Sequence, residues 1–226
     1  MLLTIPDALD ASQLAEARRV VEAGPWIDGK ITAGHQSAVA KHNLQIPEDH
    51  PPAVRLGEVI LSALSAIPLF VAATLPLKIF PPLFNRYSGG QYFGTHVDNA
   101  VRKASGNPER VRTDIAATLF LTAPEDYDGG ELCIEDLYGV RRVKLPAGHL
   151  VLYPADSLHH VTAVTRGTRT CAFFWIQSMI RDNARRTILF ELDLALQRLT
   201  RDHPTHPSGV QLLAVYHNLL RQWAET

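Results

Sequence analysis

From about residue 79 the hydrophobic period of this chain changes from helical to strand-like, and the helical period returns only after Gln177. Seven short β-rich runs follow one another: Leu83–Tyr87, Ile115–Thr122, Glu131–Glu135, Arg142–Leu145, Leu150–Tyr153, Val161–Thr165 and Thr170–Ile176. Turn signals separate them, among them Ser88-Gly89-Gly90, Asp128-Gly129-Gly130, Pro146-Ala147-Gly148 and Arg166-Gly167. Many short strands at close spacing, with no helix between them, imply an antiparallel sandwich or barrel.

Helices frame this core. Asp10 to Ala23 reads as a helix, with Asp10 or Ser12 as its cap, Leu14, Ala17 and Val21 at helical spacing, and Gly24-Pro25 as its stop. Pro51-Pro52 opens a second helix, whose buried face is marked by Val54, Val59, Ile60, Ala63, Leu64 and Ile67. After the strands, Ile188, Leu189, Leu192, Leu196 and Leu199 outline one helix, and Leu212, Leu213, Tyr216, Leu219 and Leu220 another. His203-Pro204-Thr205-His206-Pro207 separates the two. The expected architecture is α+β, mainly β. Residues 1–78 form a helical and β support region, 79–178 the core, and 179–226 a C-terminal helical extension.

At 226 residues the chain is long enough for one substantial domain, and 46% hydrophobic with 20% charged residues is ordinary for a soluble globular protein. A formal charge of −1 gives no electrostatic case for nucleic acid or an anionic membrane. The start, MLLTIPDALD, lacks the basic region of a signal peptide, and the apolar stretch Val54 to Leu77 is broken by Arg55, Glu58, Pro68 and Pro76. Two cysteines, Cys133 and Cys171, form neither a disulfide framework nor a metal pair, and read as small core residues. A reduced cytoplasmic compartment is the simplest expectation.

The chemistry concentrates in Gly94-Thr95-His96-Val97-Asp98-Asn99. In an extended chain residues i and i+2 share a face, so His96 and Asp98 present an imidazole and a carboxylate together. Ser157-Leu158-His159-His160-Val161 offers a third ligand, and strand phase with Val161 and Arg169 favours His159, leaving His160 outward and solvated. Two histidines and one carboxylate form the facial triad of non-heme iron(II) oxygenases, although the same donors suit zinc. Arg169 narrows the choice. If Val161–Thr165 and Thr170–Ile176 form a hairpin turning at Arg166-Gly167, a guanidinium ten residues after His159 lies deep in the core. Its planar fork grips a carboxylate in two places, and 2-oxoglutarate has a distal carboxylate to offer. Tyr87 is a candidate donor to the same carboxylate, with core packing as the alternative. Thr118 and Phe120 share one face of their strand, where packing is the simpler role. Arg102, Lys103, Arg110 and Arg112 read as a solvated basic loop rather than as recognition of an acidic substrate.

These residues sit within a wider resemblance. The HVD triplet, YDGGEL at Tyr127–Leu132, LPAGHLVLYP at Leu145–Pro154, SLHHVTAVTRGTR at Ser157–Arg169 and FFWIQSMIRD at Phe173–Asp182 closely resemble the bacterial PKHD-type hydroxylases, which are prolyl-4-hydroxylase-like Fe(II)/2-oxoglutarate dioxygenases. LFELD at Leu189–Asp193 and YHNLLRQW at Tyr216–Trp223 extend the match over essentially the whole chain. The resemblance implies a double-stranded β-helix (jelly roll) with N-terminal helices packed on it and two C-terminal helices. It also implies His96, Asp98 and His159 as ligands of Fe(2+), Arg169 as the 2-oxoglutarate residue, O2 and L-ascorbate as further reactants, and a connection with bacterial iron uptake. The expected reaction hydroxylates a small-molecule or protein substrate while 2-oxoglutarate is decarboxylated to succinate. Asp98 favours hydroxylation over halogenation, since its absence would open a halide site.

Two positions depart from the family pattern. Phe93, beside Tyr92, stands where a tyrosine is common, and His149 stands where an aspartate is common. A jelly-roll metal hydrolase and a non-catalytic iron or 2-oxoglutarate sensor are the alternatives, although a sensor of iron alone has no use for Arg169. The C-terminal helices are a candidate surface for a homo-oligomer.

Overall fold

Asp10 caps α1 (Ala11–Glu22): its carboxylate accepts from the Gln13 amide at 2.8 Å, while the Gln13 side chain accepts from the Asp10 amide at 3.0 Å. The second apolar stripe breaks into two helices, α2 (Pro51–Ser65) and α3 (Pro68–Thr74), because Pro68 cannot continue a helix but suits the first turn of a new one. After the strands come α4 (Asn183–Asp202), capped by Asp182, and α5 (Ser208–Trp223). The computed structural model describes residues 1–32, 39–104, 106 and 108–225. Among these no single helix is long and apolar enough to cross a membrane.

Numbered in chain order, nine strands form the larger sheet. They are β1 (Leu3–Ile5), β2 (Ile27–Asp28), β4 (Leu44–Gln45), β5 (Pro76–Ile79), β6 (Leu83–Ser88), β10 (Ile115–Phe120), β11 (Tyr127–Gly129), β14 (Leu150–Pro154) and β16 (Val164–Ser178). The smaller sheet runs, edge to edge, β13 (Gly139–Val143), β12 (Leu132–Asp136), β15 (His159–Val161), β7 (Tyr92–His96) and β3 (Lys41–His42). Among the described residues β8 (Val101–Lys103) and β9 (Arg110–Arg112) pair only with each other. All pairings are antiparallel, and the chain crosses repeatedly between the two main sheets. This is a jelly-roll sandwich, open at its edges rather than a closed barrel.

The larger sheet is covered on both faces. Phe84, Leu119, Leu152, Ala172, Phe174 and Ile176 pack outward against Ala17, Ile60, Leu64 and Phe70 of the helices. Tyr87, Phe120, Tyr153, Cys171 and Trp175 point inward, toward Leu132, Ile134 and Val161 of the smaller sheet. Cys133 and Cys171 are both free and buried. A third cluster of Leu75, Ile180 and Leu189 docks α5 through Tyr216, Leu219 and Trp223.

One expectation fails here. Arg166-Gly167 is no hairpin turn: β16 runs straight through it, and β15 and β16 belong to opposite sheets. Gly167 has φ +68° inside the strand, and a Cβ there would collide with the carbonyl oxygen of Asp126, so this glycine admits the backbone of β11. The change of sheet occurs at residues 162–163 instead. His159 and Arg169 still face one another, because inward faces of opposing sheets meet in the core.

Candidate active site

Strand register builds the centre of the site. His159, at the start of β15, pairs directly with His96, at the end of β7, which sets two imidazoles side by side with ring centroids 4.2 Å apart. Asp98 lies just beyond the end of β7 and brings a carboxylate oxygen to 3.9 Å from His159 Nε2. Donor atoms of the three residues all lie within 4.8 Å of one another, an arrangement that could hold a metal ion.

The backbone prepares both imidazoles for that role. Nδ1 of His96 lies 2.8 Å from the Gly94 carbonyl oxygen, and Nδ1 of His159 lies 2.9 Å from that of Ser157. A carbonyl only accepts, so each Nδ1 carries the proton and each Nε2 keeps its lone pair for the pocket. Burial, reinforced by the nearby His159, lowers the His96 pKa to about 3, so this ring is neutral at physiological pH. Phe93 stacks on His96 at 3.6 Å between ring centroids and fixes its plane, while Tyr92 turns away to pack on His42. The position where a tyrosine was expected therefore supplies packing and no hydroxyl.

Opposite the histidines, Arg169 is 1% exposed, with its guanidinium 5.3 Å from the Tyr87 ring centroid and 5.2 Å from that of Phe120. Its Nε and Nη1 find no hydrogen-bond partner among the described residues. A buried cation left with N–H groups unsatisfied is costly, and an anion in the pocket is the natural remedy. Burial pushes the Tyr87 phenol up to about 12, so it keeps its proton and can donate. The pocket that joins these groups has an empty volume of ≈ 730 Å³, including space open to solvent, and Thr118, Tyr153, Phe173 and Trp175 contribute to its wall.

Of the residues singled out in the sequence, His96, Asp98, His159, Arg169, Tyr87 and Thr118 meet in this one pocket, while Phe120 lies behind Arg169. His160 points to the other face of β15. It is half-buried rather than solvated, with Nδ1 unpartnered among the described residues. The basic loop divides. Arg112 is bonded to Asp114 at 2.7 Å and Glu225 at 2.9 Å, whereas Arg102 lies half-buried over Trp175. Lys41 escaped the sequence reading altogether. It lines the same pocket at 4% exposure, carried by a two-residue strand in a stretch with no hydrophobic period.

Known proteins give this geometry a context. Residues 82–177 match the model of the 2OG-Fe(II) oxygenase superfamily, and residues 183–225 that of the PKHD-type hydroxylase C-terminal domain. A PKHD-type hydroxylase of Xanthomonas campestris pv. campestris (strain B100) is 61% identical over 227 residues, covering 100% of both chains. One from Pseudomonas aeruginosa is 58% identical over 225 residues, again with 100% coverage of both. Among solved structures, a prolyl hydroxylase from Trichoplax adhaerens superposes with a TM-score of 0.56 at 14% identity, covering 78% of this chain and 83% of the other. A Pseudomonas putida prolyl-4-hydroxylase gives 0.53 at 20% identity, covering 78% and 92%. At such identities these structures speak for the fold alone.

Proposed function

The chain belongs to the PKHD-type hydroxylases of the 2OG-Fe(II) oxygenase superfamily, and from that premise we propose that His96, Asp98 and His159 hold the iron and Arg169 binds the distal carboxylate of 2-oxoglutarate. As a family member it is an oxidoreductase of the dioxygenase type. The observation that carries the residue assignment is the pairing of two unlike, incomplete sites in one pocket. One is a neutral bis-imidazole and carboxylate set, and the other a buried guanidinium with orphaned N–H groups. The donor set fits iron(II), and the orphaned fork fits a carboxylate.

When bound, iron and 2-oxoglutarate supply the activation of O2, with 2-oxoglutarate decarboxylated to succinate and CO2 and one oxygen atom delivered to a substrate C–H bond. The protein's own work is positional. The Gly94 and Ser157 carbonyls hold both histidine tautomers, Arg169 and Tyr87 anchor the cosubstrate's far end, and Phe93, Tyr153 and Phe173 exclude water from the reacting face. L-ascorbate as the agent that keeps the iron reduced and a link with iron homeostasis enter this proposal from family resemblance, and a cytoplasmic setting from the sparse cysteines. Either a small molecule or a protein segment fits it as substrate.

Anaerobic titration of the protein with iron(II) and 2-oxoglutarate, read by visible absorption, tests the assignment. A metal-to-ligand band is expected in wild type and absent in His159→Ala. Succinate formation under air with ascorbate should track it. A wild type with neither band nor succinate would overturn the proposal in favour of a bare metal-binding module.

A further inference from the structure

The inward face of β16 carries Arg169, Cys171, Phe173 and Trp175 in strict alternation. Six residues along one strand separate Arg169 from Trp175, about 20 Å at ~3.3 Å per residue. A five-carbon diacid anchored at Arg169 spans less than half of that length. The Trp175 end of the pocket therefore belongs to something other than 2-oxoglutarate, and two cations are gathered there.

Arg102, from β8, lays its guanidinium 4.1 Å from the Trp175 ring centroid and 5.2 Å from that of Phe80. Lys41, from β3, holds its ammonium 5.4 Å from the Phe93 ring centroid and 5.9 Å from that of Phe173, and donates to Gln45 Oε1 at 3.2 Å. Since Phe93 stacks on His96, a single aromatic ring separates this ammonium from a proposed metal ligand. The two cations lie sixty-one positions apart in the chain and serve no common strand pairing. Burial, then Arg102, lower the Lys41 pKa to about 7 even though Asp98, Asp28 and Glu48 act to raise it. Asp98 is committed to the metal in the reading above.

We infer that Lys41 and Arg102 form an anion subsite for the primary substrate, which carries a carboxylate gripped by the two cations while its apolar part lies on Phe173 and Trp175. A guanidinium lying over an indole can still present the N–H edge of its planar fork to a carboxylate in two places. This inference rests on the proposal that 2-oxoglutarate occupies the Arg169 end.

The test is calorimetric titration, without O2, of protein loaded with iron(II) and 2-oxoglutarate. The probes are N-acetylglycine, benzoate and hexanoate, each beside its neutral primary amide. In wild type at least one acid should bind about ten-fold or more tightly than its amide, the size of one charge-assisted hydrogen bond. Arg102→Gln and Lys41→Gln should each reduce that preference to near parity, with the iron–2-oxoglutarate band retained, and Arg102→Lys should restore part of it. Equal affinities in wild type, absence of binding by any acid, or a preference that survives both variants would overturn the subsite. So would loss of the band in either variant, which would assign the pair to the cosubstrate. A band missing from wild type would instead strike the cosubstrate reading, and the same acid–amide comparison on metal-free protein would still decide the subsite.

Discussion

The two main sheets of this sandwich do different work, and their edge and centre strands show it. β10, central in the larger sheet, is buried at all six positions, whereas β13, at the edge of the smaller sheet, is exposed at four of five. The larger sheet is a slab held between helices and the inner core, and it carries Arg169. The smaller sheet is covered chiefly on its inner face, and it carries both histidines near one end. The proposed cosubstrate anchor on the slab and the proposed metal donors on the thinner wall face a shared pocket that includes space open to solvent. Most of the buried support thus lies in the larger sheet, and substitutions on each side test the division.

The largest effect is expected from Phe174→Ala. Phe174 is 1% exposed and packs with the helices on the outer face of β16. Truncation there should cost about 3–5 kcal/mol, the usual range for a buried phenylalanine in a core that cannot collapse around the void. Denaturant unfolding of the metal-free protein measures it. A cost below about 1 kcal/mol would show that the helices do not clamp the slab.

Arg169→Met breaks the comparison in a different way, because it should separate stability from function within one residue. Loss of a bidentate charge-assisted contact should weaken 2-oxoglutarate binding about 100-fold. The same change removes a buried charge with two unpartnered N–H groups, so the ligand-free protein should become more stable, by about 1–3 kcal/mol. Thermal unfolding with and without 2-oxoglutarate checks both signs. A destabilised ligand-free variant would mean that Arg169 is a structural residue of the slab.

Both outcomes bear on how much of the molecule was legible in its sequence. β10 was readable because Ile115-Ala116-Ala117-Thr118-Leu119-Phe120 is nearly unbroken apolar sequence, the mark of a strand covered on both faces. That His96, Asp98, His159 and Arg169 meet in one pocket was readable because their side-chain chemistry and spacing survive any error in strand boundaries. The hairpin at Arg166-Gly167 was misread, because a glycine that admits a neighbouring backbone looks the same in sequence as one that turns the chain. Lys41 was invisible for another reason. Its strand is two residues long, and its place in the pocket depends on pairing with Phe93, more than fifty residues away. No local pattern encodes such a contact.

Gly167→Ala sharpens the distinction between turning and admitting. A methyl group there meets the Asp126 carbonyl, and the left-handed φ of +68° penalises any side chain. The expected cost is about 2 kcal/mol or more, the backbone penalty alone being ~1–2 kcal/mol. A near-neutral result in urea unfolding would show that β11 moves freely off β16 and is no fixed part of the slab.

The smallest effect is expected at the thin wall. Leu137 and Tyr138, in the β12–β13 turn, are 100% and 90% exposed, and Val140 is 51% exposed on the edge strand. Val140→Ala removes two methyl groups that are already largely in water, so little transfer free energy is lost and no cavity forms. The change should stay within about 0.5 kcal/mol in the unfolding measurement that registers Phe174→Ala. The contrast between these two variants is the quantitative form of the division between slab and wall. If Val140→Ala instead cost as much as a core truncation, the exposed hairpin would be holding the smaller sheet in register. His159 pairs with Ile134, on the strand that β13 flanks, so the metal donors would then depend on that hairpin, and iron affinity would fall together with stability.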